Sequence, residues 1–541
     1  MKMNYEADLA CNEARRNSFK KNRERRKLDI QNSADSKGIV ENEISSFSPI
    51  SADDDLWERT QMLRQEQEES RRTRWICKPS CLPISIILIL IVLVVLLPLL
   101  DHSPDKLHVV NRKIVKGPKS CEDNCQIHLT ETIPEGLIYP VNSIMPPSTY
   151  ESWMNLINAA SETIDIASFY WTLRLNEVHQ HASSQKGEDI FQALKAAGSE
   201  RNITLRIAQN IPNDNTGPNS DTETLALENA ATVKSLNFTN MVGGGVLHTK
   251  LWIIDKKHIY LGSANMDWRS LTQVKEMGIV AYDCPCLAND IAKIFDVYWL
   301  AAEANSTIPK IWPENLATEF NIANPMHTVV NNISYGTYIS SSPPPMSTMG
   351  RTDDIDSILN VIANAKEFIY IAVMDYFPLT IYTPTQKFWP IIDNALRKAA
   401  IENNVRVFML ISWWKHSRPT EDNFLRSLVN LSGVGQGNKT VDIQVKRFVV
   451  PASPEQNEIP FARVNHNKYM VTDNTAYIGT SNWSGDYFIN TAGIGFILED
   501  IENKINETEN IKVAESLRKQ LLEVFERDWY SVYAKNLFRQ I

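Results

Sequence analysis

Two stretches of the chain carry a histidine and a lysine two residues apart, followed at set distances by an aspartate, a glycine and an asparagine. Residues 247–265 read LHTKLWIIDKKHIYLGSAN and contain His248, Lys250, Asp255, Gly262, Ser263 and Asn265. Residues 465–482 read NHNKYMVTDNTAYIGTSN and contain His466, Lys468, Asp473, Gly479, Thr480 and Asn482. The set is rich in donors and short of carboxylates, so it suits an anion. Lys250, Lys468, Asn265 and Asn482 can hold the non-bridging oxygens of a phosphodiester and offset the charge that builds in its transition state. One neutral histidine can attack phosphorus while the other, protonated, gives its proton to the leaving oxygen. Water activated by the second histidine then cleaves the phosphohistidine, and the scheme needs no metal or other cofactor. A lone His-x-Lys on a strand is ordinarily structural, and it is the duplication that turns the reading to catalysis.

For one site to form, the elements around the two copies must bring them together. Alternation along a strand puts His248 and Lys250 on one face, and likewise His466 and Lys468. The glycines at 262 and 479 let backbone and amide donors approach a ligand. The surrounding sequence is also written twice: LINAASETIDIAS (156–168) aligns with VIANAKEFIYIAV (361–373), and ALKAAGSERNITLRI (193–207) with ALRKAAIENNVRVFML (395–410). Each copy reads βαβα and then a pair of strands. The expected fold is therefore α/β, two similar α/β/α sandwich halves packed as a pseudo-dimer around one interfacial active site. The halves are placed at 133–310 and 349–541, with a linker at 311–348 around the proline-rich SSPPPMS. Asp255 and Asp473 are read as structural supports of the strand turns. Trp268 and Trp483 can stack bases or fill the core, and His179 and His181 are read as a solvated loop rather than a metal pair.

At 541 residues the chain is long enough for large cores. Residues Leu82 to Leu100 carry no charge over 19 positions; at about 1.5 Å per residue this crosses a hydrocarbon core of roughly 30 Å. A single transmembrane helix is expected there, after a polar, disordered cytosolic tail (1–81) and before a lumenal stalk (101–132). Basic side chains tie across the anchor, five in residues 62–81 and five in 101–120. Orientation therefore rests on the sequons at Asn202, Asn237, Asn305, Asn332, Asn430, Asn438 and Asn506, all C-terminal to the anchor. The C-terminal part is expected to be lumenal, where Cys121, Cys125, Cys284 and Cys286 are candidates for disulfides. Neither cysteine spacing is that of a zinc finger. Cys77 and Cys81, beside the anchor, are placed on the cytosolic side. Residues 83–541 hold 39 basic against 49 acidic side chains, net −10, so a polyanion must be met by a local pocket rather than a basic face. All ten histidines lie beyond the anchor, and an acidic compartment would bring that charge towards zero.

The first motif resembles the phospholipase D superfamily signature at every position, His248, Lys250, Asp255, Gly262, Ser263 and Asn265. The second departs by five residues rather than six between Asp473 and Gly479, and by Thr480 in place of serine. With phrases such as IPEGLIYP, GSANMDWRSL, GTSNWSGDYF and ERDWYSVYAK, residues 120–541 look like the type II membrane branch holding phospholipase D members three and four. The resemblance implies a lysosomal exonuclease that degrades single-stranded DNA and RNA from the five-prime end. It implies a route through endoplasmic reticulum and Golgi to lysosome or late endosome, with release as a soluble form and a homodimer both left open. Hydrolysis or transphosphatidylation of phospholipids is the alternative, and a non-catalytic membrane glycoprotein the third reading. It further implies His248 as nucleophile, His466 as general acid and base, and Glu276 as the carboxylate orienting the opposite histidine. The counterpart of Glu276 in the second copy is taken as Thr491.

Overall fold

The computed structural model describes residues 124–541 apart from 175–178, 214–216, 304–306, 437–438, 502–514 and 538–541. The expected tail and the anchor at 82–100 lie outside the described residues, among which no helix is long and apolar enough to cross a membrane. Strand β1 (Asn124–Thr132) precedes helix α1 (Thr149–Ala159), strand β2 (Thr163–Ser168), helix α2 (Gln185–Ser199) and strands β3 (Thr204–Asn210) and β4 (Thr232–Leu236). Strands β5 (Leu251–Ile254), β6 (His258–Gly262) and β7 (Glu276–Tyr282) follow, then helix α3 (Pro285–Ala301). Strands β8 (Met326–Val330) and β9 (Ile333–Ser342) lead into helix α4 (Asp354–Asn364), strand β10 (Phe368–Val373), helix α5 (Ile391–Glu402) and strands β11 (Arg406–Ser412) and β12 (Ile443–Phe448). Strands β13 (Lys468–Thr472), β14 (Thr475–Gly479) and β15 (Gly493–Asp500), helix α6 (Leu517–Trp529) and strand β16 (Ala534–Asn536) complete the order.

Hydrogen bonding joins these strands into a large mixed sheet in the order β4-β3-β2-β5-β6-β7-β1-β8-β9-β15-β14-β13-β10-β11-β12-β16. The pairs β2–β3, β3–β4, β10–β11 and β11–β12 are parallel, and the strands bearing the motifs run antiparallel beside them. Residues 124–132, expected in a stalk, are thus inside the sheet, with Gln126 to Thr132 opposite Tyr282 to Glu276. Most of the expected linker at 311–348 is structured too, because β9 pairs along its length with β15. Their alternation was the signal: Met326, Thr328 and Val330 are buried, while His327 is exposed.

Local sequence explains the elements. Helix α1 opens with a capping box in which Ser148 and Glu151 satisfy each other's backbone donors. Helix α4 buries Ile358, Val361 and Ile362 at helical spacing. The strands alternate between two cores: Leu251 and Ile253 face a central cluster shared with Ile339, Ile478 and Phe496, whereas Trp252 and Ile254 face a cluster with Trp153, Leu156 and Leu194 of α1 and α2. In the second copy Tyr469 and Val471 face the central cluster, and Met470 faces the cluster of α4 and α5. Cys125 is bonded to Cys284, tying β1 to the start of α3. Cys286 is also disulfide-bonded, and Cys121 lies outside the described residues. Of the sequon asparagines, Asn202, Asn332 and Asn430 are exposed, Asn237 is half-buried as the cap of a short helix, and Asn305, Asn438 and Asn506 lie outside the described residues.

One buried charge cluster locks the middle of the sheet. Lys275, fully buried beside β7, lies 3.0 Å from Asp528 and 3.3 Å from Glu131, and Arg527 bridges the same two carboxylates at 3.0 and 2.7 Å. Tyr139 donates to Asp528 at 2.7 Å. Burying four charges is tolerable only because each is paired. Lys275→Ala leaves two carboxylates sharing one cation, so it is expected to destabilise the fold by about 3–5 kcal/mol, measured as a lowered midpoint in denaturant unfolding of the purified protein.

Candidate active site

The structure brings both motifs to one place. Backbone bridges pair Leu247 with Ala492 and Lys275 with Asn465, so each His-Lys segment runs beside the segment that opens the other copy's last strand. The His248 amide donates to the Ala492 carbonyl at 2.9 Å and the His466 amide to the Lys275 carbonyl at 2.8 Å. His248 and Lys250 precede β5 rather than lying within it, whereas Lys468 is the first residue of β13. Each lysine Nζ donates to the carbonyl of its own histidine, Lys250 at 2.7 Å and Lys468 at 2.6 Å. An ammonium has three donors, so each keeps two for a ligand.

The two histidines differ in what holds Nδ1. His466 Nδ1 lies 2.8 Å from Glu276 Oε2, a contact from one copy to the other. Glu276 is fully buried and also accepts from Ser263 Oγ at 2.5 Å and Ser270 Oγ at 2.8 Å. His248 Nδ1 lies 2.9 Å from the carbonyl oxygen of Thr480. A carbonyl only accepts, so His248 Nδ1 donates, and when the ring is neutral the lone pair is on Nε2. Phe169 and Tyr487 flank that ring at centroid distances of 5.3 and 5.0 Å.

The counterpart of Glu276 is not Thr491. Gly262 faces Gly278 across β6–β7 and Gly479 faces Gly495 across β14–β15, which sets Gly493 in the register of Glu276. Both lie fourteen residues after their motif glycine, so counting alone could have found the pair. A Cβ at Gly493 would lie 3.2 Å from Thr480 Oγ1 and press on Ser481. The second copy therefore has no room for a carboxylate there. The same register accounts for Ser263 and Thr480: each hydroxyl accepts a strand amide at 3.0 Å, from Met277 and Ile494, but only Ser263 has a carboxylate to serve.

Electrostatics follow from burial. His248 is held well below the usual histidine range by desolvation, and then by Lys250, Lys468 and His466. His466 is lowered by desolvation, with Glu276 opposing. Burial brings Lys468 down to about 7 against Glu276 and Asp375, and holds Lys250 well below its ordinary value. An entering anion would reverse each of these shifts. Asn265 and Asn482 are buried and their Oδ1 atoms have no protein partner. Asn482 Nδ2 is within 3.3 Å of Asp375 and 3.1 Å of Tyr487, so it is engaged in the protein as well as available to a ligand.

The remaining expected residues separate cleanly. Asp255 accepts from the amides of Ser161, Glu162 and Thr163 and from the Ser161 hydroxyl at 2.7–2.8 Å, bracing the start of β2. Asp473 accepts from Lys366 and Glu367 before β10 at 2.9 and 3.1 Å. Trp268 and Trp483 are wholly buried, so they are core rather than stacking surfaces. His181 is no solvated loop residue: its Nδ1 accepts from Ser183 at 3.2 Å and its ring stacks on Trp268. Among the described residues no group of His, Cys, Asp and Glu could hold a metal ion. Phe169, Asp375 and Tyr487 were not singled out from the sequence. Their signal was position, since Phe169 and Asp375 follow the carboxyl ends of β2 and β10, where open α/β sheets bind ligands.

A family model described as PLD3/4, PLD-like domain matches residues 142–453. The chain is 46% identical over 451 residues to 5'-3' exonuclease PLD3 of Xenopus laevis, covering 83% of this chain and 88% of that protein. It is 46% identical over 422 residues to the human 5'-3' exonuclease PLD3, with 78% and 82% covered. To 5'-3' exonuclease PLD4 of Mus musculus it is 40% identical over 440 residues, with 81% and 85% covered.

Glu276 raises the pKa of His466, so Glu276→Gln is expected to lower it further and to shift the imidazolium population to more acidic pH. Nitrogen-15 NMR titration of the His466 ring measures this; an unmoved midpoint would mean the carboxylate orients the ring without charging it.

Proposed function

The chain belongs to the PLD3/4 family of phospholipase D-like proteins, and from that premise we propose that it is a phosphodiesterase acting as a five-prime to three-prime exonuclease on single-stranded DNA and RNA. The observation that carries the mechanism is the unequal pairing of the histidines, a carboxylate on His466 and a backbone carbonyl on His248. The names of the relatives support the polarity and the substrate class. In this reading the sheet is a pseudo-dimer of two α/β/α halves, and the site lies at their interface because each half completes the other's histidine.

The neutral His248 Nε2 lone pair attacks phosphorus. As the P–N bond forms, the bond from phosphorus to the leaving oxygen breaks, and His466 Nε2–H delivers its proton to that oxygen. Water then loses a proton to the now neutral His466 and attacks phosphorus, and the P–N electron pair returns to His248. Lys250 and Lys468, with Asn265 and Asn482, hold the non-bridging oxygens as their charge grows. Burial that lowers both lysines makes the dianionic transition state the partner that restores their charge.

We further propose that the enzymatic part is lumenal, anchored through residues 82–100 with a cytosolic N-terminus, and works in the lysosome or late endosome. The Cys125–Cys284 bond and the exposed sequons at Asn202, Asn332 and Asn430 support an oxidising, glycosylating route. Mild acidity suits His466 as an acid, because the partner carboxylate offsets part of its burial.

The test uses end-labelled single-stranded DNA and RNA at about pH 5, where ordinary histidines are protonated, with EDTA present. Stepwise release of mononucleotides from the five-prime end is expected. His248→Ala should abolish turnover and yield no phosphoenzyme on alkaline quench. His466→Ala should slow turnover about 10²–10⁴-fold and let phosphoenzyme accumulate with a substrate whose leaving group needs no proton. Equal phosphoenzyme yields in both variants would overturn the assignment of roles.

A further inference from the structure

Beside the His466 segment the surface carries aromatic rings that no core needs. Phe461 is 59% exposed, stacks on exposed His416 at 4.7 Å and 18°, and lies 6.5 Å from half-buried Trp414. Phe461 also has a backbone φ of +54°, a conformation that bulky residues seldom adopt. That conformation is imposed from both sides. Arg269 donates to the Pro460 carbonyl at 2.5 Å, Arg463 donates its amide to Gln273 at 3.2 Å, and Ile459 and Ala462 are buried against Trp268. Only the Phe461 ring is left outside. The opposite wall is equally fixed: Trp414 closes a turn with Ser417 through two 3.0 Å bonds, and Trp413 lies under the Arg447 guanidinium at 5.0 Å.

This surface is continuous with the catalytic pocket. The turn 413–418 follows directly from the carboxyl end of β11, whose Ser412 hydroxyl accepts the Asn465 amide at 3.1 Å, one residue before His466. Segment 459–465 leads into the same histidine. Exposed Lys415 and Arg418 stand on the turn, and Arg418 lies over the ring of Tyr382, which is 59% exposed and packs edge-on against Tyr487 beside His248. In a part of the chain that is net acidic, two cations interleaved with open rings form a local footprint for a backbone phosphate next to a base.

We propose that Phe461, with His416 and Trp414, is a stacking platform for an unpaired base of the substrate strand on the His466 side of the scissile phosphate, with Lys415 and Arg418 meeting the adjoining phosphate. The proposal rests on the exonuclease reading and adds the reason for single-strand preference: a paired base has both faces covered and cannot lie on the ring. Sequence tolerance follows, because every base has a π-face.

The experiment compares the full-length protein on a single-stranded DNA oligonucleotide and on the same strand with abasic residues at the second and third positions from the five-prime end. The wild type should favour the intact strand in kcat/KM by about tenfold or more, the effect of losing one base–aromatic stack. Phe461→Ala should bring that ratio close to one, His416→Ala should lower it, and Phe461→Tyr should keep it. Both first variants remove exposed groups, so a thermal midpoint equal to wild type is expected. A wild-type protein that degrades both strands equally, or a Phe461→Ala variant that keeps the full ratio, overturns the platform while the exonuclease reading stands. Degradation of neither strand overturns the exonuclease reading itself.

Discussion

Taking two lysines and two histidines out of water with Glu276 as the fully buried carboxylate beside them is the constraint on which the site depends. Like charges in a poorly solvated space repel, and desolvation penalises every charged form, so His248 and Lys250 are held far from their ordinary ionisation and Lys468 falls to about 7. The cost is stable only because the surrounding sheet is rigid. Buried ladders on both sides and the Lys275 cluster behind β7 prevent the charges from relaxing towards solvent. An anion is then the natural complement of the pocket.

The placement of Glu276 breaks a symmetry that the duplication would otherwise impose. The two copies share strand order, glycine pairs and backbone bridges, but Gly493 stands where a second carboxylate would be. One histidine is thereby charge-stabilised and the other is held as a neutral ring with its lone pair directed away from Thr480. Two carboxylates would favour protonation of both rings and leave neither one neutral. A one-residue difference in the ladder is enough to make the two histidines unequal.

Rigidity also extends outwards from the site. The segment entering His466 is clamped by Arg269, Gln273 and Trp268 from the first copy, so the contacts that assemble the two copies also set the exposed Phe461. Catalytic geometry and substrate surface therefore share one support. Trp268, which by sequence could have been a stacking residue, acts from beneath as the packing that holds such a residue out.

Much of this was legible in the chain itself. The duplicated His-x-Lys motifs named the residues that meet in the pocket, the strand and helix periodicities named the α/β class, and Asp255 and Asp473 were readable as turn supports, because these features depend on neighbours a few residues away. Glu276 was legible as an orienting carboxylate through resemblance to a family. What sequence could not decide were matters of register and burial between distant segments. Residues 124–132 and 326–342 read as stalk and linker but pair within the sheet, and Trp268 and Trp483 read as possible platforms but are wholly enclosed. Whether a ring is open or buried, and whether an imidazole meets a carboxylate or a carbonyl, depends on segments 190 and 232 residues apart lying within about 3 Å. Local spacing carries no information on that distance, and only the packed sheet supplies it.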